Sequence, residues 1–270
     1  MSIKDQLLDS KNKCNKKTAK PLRAGSVHYG PEFQQQNHEE RFIFAVYQES
    51  DMIRIIKDER LGFMLYAILF LCGLLLVTAI PKLELHKLLN SGHTKLLDNF
   101  FSLLTFLGNG WFAVILSMLF LFIRFRYFFM LIGSFCVSGL MAQFLKRVVF
   151  SDVLRPAAYL DQMPGLELVP GIDLHHTLAF PSGHTTTAFA VLLLTGLIIN
   201  KKYAVLGLML IAWLAGISRI YLSQHFLIDV LGGSLLGVFS ALFFYWYFRK
   251  FKSAWMDRSL TGMIRRNIYN

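Results

Sequence analysis

Charge is scarce in this chain. Only 17% of its 270 residues are Asp, Glu, Lys or Arg, against 54% hydrophobic, and the mean hydropathy is +0.46. That balance excludes a disordered segment and is unusual for a soluble domain. Cysteine is equally sparse. Of three in all, Cys14 lies in a polar stretch while Cys72 and Cys136 fall inside apolar runs, so neither a disulfide framework nor a cysteine-based metal spacing is present. The start of the chain lacks the apolar core of a signal peptide. No internal repeat of 20–50 residues appears, and nothing marks a second folded domain.

What the chain does have is long apolar runs. Twenty uncharged residues follow one another from Leu61 to Ile80, enough for a helix of about 30 Å, the hydrocarbon thickness of a bilayer. Further runs cover about Leu103–Ile123, Tyr127–Leu145, about His184–Ile199, Tyr203–Ser218 and Phe226–Phe248. The second is interrupted early by Gly108-Asn109-Gly110. The expected fold is an all-α, polytopic membrane helix bundle with six transmembrane helices. Three regions follow: a polar N-terminal tail (1–60), a six-span domain (61–250) and a basic C-terminal tail (251–270). Within the first, Phe42–Arg60 mixes Phe, Ile and Val with charges and reads as an interfacial amphipathic helix or an ordinary surface helix.

The net charge of +11 would suit nucleic acid only if the basic residues shared one face. They do not. Eleven lie in residues 1–60 and six in 249–270, with Arg124, Arg126, Lys201 and Lys202 between the expected spans. Only seven of the 28 fall on the opposite side. This bias places both termini in the cytoplasm and makes nucleic-acid binding unnecessary. The basic C-terminal tail could also touch anionic lipid headgroups, although a plain topology anchor explains it as well.

Some ionisable residues are left over. Lys146 ends the third span, His184 starts the fourth, Arg219 ends the fifth and His225 starts the sixth, all at the outer face. Arg155 lies in the loop between the third and fourth. Ionisable groups at a membrane boundary are costly and by default signal function. Three cations and two histidines at one face repel one another unless an anion lies between them. A phosphate is the natural candidate, since Arg and Lys bind its oxygens through charge-assisted hydrogen bonds. In Pro181-Ser182-Gly183-His184, Ser182 is a good N-cap, and the first helical turn offers free N–H groups to an anion. His225 and Asp229, four apart, share one helix face. A carboxylate on one ring nitrogen leaves the other with its lone pair outward, able to attack phosphorus. A capped helix with a surface histidine, or a structural His–Asp pair, are the plain alternatives.

Pro181-Ser182-Gly183-His184, followed by Ser218-Arg219, five residues, His225, three residues and Asp229, resembles the second and third signature motifs of the type 2 phosphatidic acid phosphatase superfamily. The first family motif, Lys, six residues, Arg-Pro, is matched in part. Arg155-Pro156 is present, but seven positions before Arg155 stands Val148, with Lys146 nine before and Arg147 eight before. The resemblance covers about Lys146–Asp229. It implies that His225 is the nucleophile forming a phosphohistidine, Asp229 its orienting carboxylate and His184 the acid that protonates the leaving oxygen. Lys146 (or Arg147 in its place), Arg155, Arg219, Ser182 and Gly183 would hold the phosphoryl oxygens. It implies no metal and no other cofactor, and the outer face carries no clustered Asp/Glu set for Mg²⁺.

Several further residues read as bland. His175 and His176 are expected to be surface loop histidines rather than ligands. Tyr159, Met163 and Leu166 would serve either in a lid over an acyl chain or in packing. Trp111, Trp213 and Trp246 read as packing or interfacial anchors. The function expected is a metal-independent phosphatase of lipid metabolism, acting on a lipid phosphate or pyrophosphate at the outer face of a membrane, with that substrate and the membrane lipids as its expected partners. The short length and short loops lean towards a bacterial inner membrane. A non-catalytic phospholipid-phosphate binding or transport protein is the alternative, and the pairing of His225–Asp229 with His184 argues against it.

Overall fold

The computed structural model describes residues 53–269, and residues 1–52 of the tail expected over 1–60 lie outside the described residues. Of the segment read as an interfacial or surface helix, residues 53–58 are helical. Ile55 there is buried in the core while Ile53 and Ile56 are exposed. All regular structure among the described residues is helical. In chain order it comprises α1 (Arg60–Ala79), α2 (Lys82–Leu89), α3 (Lys95–Leu104), α4 (Gly110–Phe120), α5 (Phe125–Phe144), α6 (Gly183–Ile199), α7 (Ala204–Tyr221), α8 (Leu227–Lys250) and α9 (Leu260–Tyr269).

The six apolar runs all fall on helix, but they differ in length. Helices α1, α7, α8 and α5 with its continuation to Val149 are long and apolar enough to cross a membrane. A bent pair, Lys95–Gly108 and Gly110–Phe120, turns by 58° and makes a fifth if it counts as one span. The bend falls on the Gly108-Asn109-Gly110 interruption. Asn109 caps the new helix there, its side chain accepting from the Trp111 N–H at 2.9 Å. Helix α6 has only 17 residues. Four spans, or five with the bent pair, meet the length criterion, rather than all six.

Helix α6 is the enclosed one. Every residue from Thr185 to Leu197 is buried, with α5, α7 and α8 packed around it. A helix apolar on all sides is one surrounded by others. Close approach of α8 depends on two glycines: a Cβ at Gly233 would meet the Ser182 carbonyl at 2.5 Å, and one at Gly237 the Thr186 carbonyl at 2.5 Å. Small residues at such crossings let helix backbones touch where lipid provides no hydrophobic drive. Trp213 packs edge-on to Phe189 at 5.2 Å, and Tyr66 joins both. Trp213 is therefore a core residue, while Trp111 is 72% exposed.

At the other end of the bundle Arg126 makes a clamp. It donates to both oxygens of Asp257, at 2.8 and 2.7 Å, and to the carbonyls of Phe248 and Phe251. One of the expected topology charges thus also fixes the chain that leaves α8.

Candidate active site

The end of α6 that carries His184 is tied directly to the start of α8. Ser182 caps α6, its Oγ accepting from the Thr185 N–H at 3.4 Å and the Thr185 hydroxyl at 2.9 Å. Its own N–H donates to the Asp229 carbonyl at 2.9 Å. The two sequence motifs are therefore joined by main chain. Ser182 is fully buried and spends both acceptor sites on its cap, which leaves it one O–H to donate. A Cβ at Gly183 would meet nothing within 4 Å, so an anion could approach the helix N-terminus closely.

His225 and Asp229 form the pair that their spacing predicts. His225 Nδ1 lies 3.3 Å from Asp229 Oδ2, and the same oxygen accepts from the Phe226 N–H at 3.0 Å. Both side chains are almost wholly buried. With Nδ1 donating to the carboxylate, Nε2 keeps the lone pair. Burial, and then the positive charges of Arg155, Lys146 and Arg219, with His184 beyond them, hold the His225 imidazole well below its ordinary range. It is neutral at neutral pH, as a nucleophile must be.

The same charges show which residues gather here. Arg219 is 8% exposed. Its Nη1 donates to Thr105 Oγ1 at 2.7 Å, while its Nε is buried with no hydrogen-bond partner among the described residues. A buried guanidinium nitrogen left unpaired is costly and points to an absent acceptor. Arg155 donates from Nε to the Thr177 carbonyl at 2.9 Å and from Nη1 to the Gln224 carbonyl at 3.4 Å, strapping the loop before α6 to the turn that carries His225.

Lys146 answers the shifted first motif. The end of α5 widens into a π-helical turn over Leu145–Val149, and within it Lys146 is 5% exposed while Arg147 faces outward. The wider turn takes up residues that regular α-helix would not. It brings Lys146, not Arg147, to the site.

The loop residues behave as packing. Met163 is fully buried, His175 and His176 are exposed, and Tyr159 lies edge-on to Phe226 at 5.9 Å. Among the described residues no group of three or more His, Cys, Asp or Glu side chains is placed to hold a metal ion.

Sequence reasoning missed the contribution of α2. Asn90 Nδ2 donates to the Tyr221 carbonyl at 2.7 Å and to Ser223 Oγ at 3.0 Å, and His86 Nε2 lies 3.3 Å from the same hydroxyl. Ser223 has φ +50°, a left-handed conformation that costs energy in a residue other than glycine. These side chains hold it two residues before His225. Thr105, beside Arg219, was also missed. The one available signal was that His86 and Asn90 sit in an amphipathic stretch too short to span.

The PAP2 superfamily model matches residues 125–253, from the start of α5 past the end of α8, and takes in Lys146, Arg155, the Ser182–His184 turn, Arg219, His225 and Asp229. Over this stretch, just under half of the chain, the protein matches the PAP2 superfamily. Its relatives include a lipid A 4'-phosphatase of Porphyromonas gingivalis, 28% identical over 63% of this chain and 74% of that one. Two solved structures share its fold. Aquifex aeolicus LpxE has a TM-score of 0.52 at 28% identity, covering 61% of this chain and 94% of that one. A transmembrane PAP2-type phosphatidylglycerolphosphate phosphatase from Bacillus subtilis has a TM-score of 0.53 at 26% identity, covering 70% and 98%. These relatives are membrane lipid phosphatases, and with its apolar helices this chain is an integral membrane protein.

Proposed function

We propose that the protein hydrolyses a lipid phosphate or pyrophosphate at the outer face of a bacterial inner membrane, through a phosphohistidine. The observation that carries this reading is a buried, neutral His225 oriented by Asp229 among Lys146, Arg155, Arg219 and His184. A protein that only binds phosphate needs the cations, but not an imidazole held by a buried carboxylate.

In the first step His225 Nε2 attacks phosphorus, the bond from phosphorus to the lipid oxygen breaks, and His184 gives that oxygen a proton. Lys146, Arg155, Arg219, the Ser182 hydroxyl and the Gly183 amide hold the phosphoryl oxygens. Phosphoryl transfer has little covalent work for the protein beyond this positioning and charge stabilisation. In the second step water attacks phosphorus, His184 takes its proton, the P–N bond breaks and inorganic phosphate leaves. With cations neutralising the developing charge, the reaction needs no metal. Six crossings, with α6 and the bent α3–α4 pair each counted as one, put both ends of the bundle in the cytoplasm. The Lys/Arg bias then turns the His225 face outward.

The test is phosphate release by purified His225→Ala protein from phosphatidate, phosphatidylglycerophosphate, polyprenyl pyrophosphate and lipid A, with and without chelator. Complete loss of release, with insertion intact, is expected. Undiminished release would refute the assignment, and a strong loss in wild type on adding chelator would refute the metal-free mechanism.

A further inference from the structure

Arg219 is held at both ends. At its main chain, the carbonyl accepts from the N–H groups of Gln224 and His225, at 2.9 and 3.1 Å, so the residue carries the turn that presents the nucleophile. At the tip of its side chain, Nη1 donates to Thr105 Oγ1 at 2.7 Å. Thr105 opens the 3₁₀ turn Thr105–Gly108 that follows α3, 114 residues away in sequence. No other nitrogen of the guanidinium has a hydrogen-bond partner among the described residues, and Nε is buried.

Which nitrogen Thr105 takes decides what remains. A guanidinium donates in pairs along its edges, and the edge shared by Nε–H and Nη2–H can meet two oxygens of one phosphate side by side. Thr105 occupies Nη1, outside that pair, and leaves it whole. A hydroxyl is also a neutral acceptor. It fixes the guanidinium plane without cancelling the charge, as a carboxylate would, and no carboxylate among the described residues pairs with Arg219. Nor is the bond needed to tie helices together, because the Tyr221 hydroxyl already joins α7 to α3 by donating to Asp98 at 2.6 Å. The charges of Arg155, Lys146 and Arg219 and the ring of His184 all act on His225, so the unfilled edge belongs to the cluster around the nucleophile.

We propose that Thr105 is a positioning residue for phosphoryl transfer, fixing Arg219 so that its Nε–Nη2 edge faces two phosphoryl oxygens. Thr105 itself touches no reacting atom. The bend between α3 and α4 is thereby part of what sets the site, and not only a broken crossing. Its effect belongs to the transition state, where charge spreads over the phosphoryl oxygens and a donor pair aimed in advance needs no reorganisation. The inference rests on the reading given above, in which Arg219 holds those oxygens.

The experiment follows phosphate release by the purified full chain, on whichever of phosphatidate, phosphatidylglycerophosphate, polyprenyl pyrophosphate and lipid A the wild type hydrolyses fastest. It measures kcat, KM and inhibition by orthovanadate, whose five-coordinate form mimics the transition state and so reports how well that state is bound. Thr105→Val removes the hydroxyl and keeps the shape. Its kcat is expected to fall about tenfold, short of the hundredfold or more that follows loss of a donor outright. KM should stay within about twofold, and the vanadate inhibition constant should rise about tenfold. Thr105→Ser keeps the hydroxyl and should stay within about threefold of wild type in all three. An unchanged kcat in Thr105→Val, an equal loss in Thr105→Ser, a change in KM alone, or a lower kcat with unchanged vanadate inhibition would each overturn the proposal. Should Thr105→Val fail to fold, Thr105→Ala replaces it, and failure of both to fold would make the residue structural and end the proposal too. A wild type that releases phosphate from none of the four lipids would instead sink the underlying assignment, and this inference with it.

Discussion

The main chain of Gly108 lies directly against His184. A Cβ at residue 108 would stand 2.5 Å from the His184 carbonyl oxygen and 2.8 Å from its Cβ. The atom it would strike first is backbone in the opening turn of α6, enclosed by α5, α7 and α8, and cannot retreat as a flexible side chain would. The break in the second apolar run therefore does more than bend a helix. It brings α3 and α4 against the acid of the proposed reaction.

Gly108→Ala is expected to displace His184. Overpacking of this kind costs about 1–3 kcal/mol of stability, and activity should fall at least about tenfold, since misplacement by about 1 Å can cost roughly a hundredfold. Thermal unfolding in detergent and phosphate release measure the two effects. Full activity in Gly108→Ala would show that His184 needs no fixed position.

Lys146 and Arg147 are adjacent in sequence and opposite in environment, one buried in the π turn and the other outward. Lys146→Ala is expected to lower kcat/KM about a hundredfold, the scale of losing one transition-state donor. Arg147→Ala should stay within about threefold of wild type, as surface substitutions do. The reverse order in a phosphate-release assay would assign the role to Arg147.

Much of this was legible because chemistry at a membrane boundary is expensive. Lys146, His184, Arg219 and His225 stood out against apolar runs, and the i,i+4 spacing of His225 and Asp229 predicted their contact. The six runs all proved helical for the same reason. Span number was less legible, because α6 has only 17 residues and the second run is broken by a 58° bend, neither of which hydropathy alone resolves into crossings. The choice between Lys146 and Arg147 turned on a π turn, which changes side-chain direction without a sequence mark. His86 and Asn90 went unnoticed because their partners, Ser223 and Tyr221, lie more than 130 residues away.

Asn90 fixes the turn that delivers His225, and its amide is buried. Asn90→Ala would leave the carbonyl of Tyr221 without its donor and loosen Ser223, at a cost of about 1–3 kcal/mol. Asn90 touches no reacting atom, so kcat should fall about tenfold while KM stays within about twofold. A rise in KM with kcat unchanged would instead make Asn90 part of substrate binding.

His86 makes stability depend on pH. Burial, and then the charge of Lys82, push its pKa down to about 4, below the value near 6.5 of an unfolded histidine. Between those values the unfolded chain binds the proton and the folded chain does not, so the contribution is whole above about pH 6.5 and is lost as pH falls towards 4. At 1.36 kcal/mol per unit, the loss is on the order of 3 kcal/mol. His225, also depressed by burial, acts in the same direction. His86→Gln removes this titration and keeps a group able to bond Ser223. Its melting temperature should therefore fall less steeply than that of wild type from pH 7 to pH 4.5. A slope as steep as wild type would mean that the His86 ring already accepts a proton in the folded protein, against the burial that surrounds it.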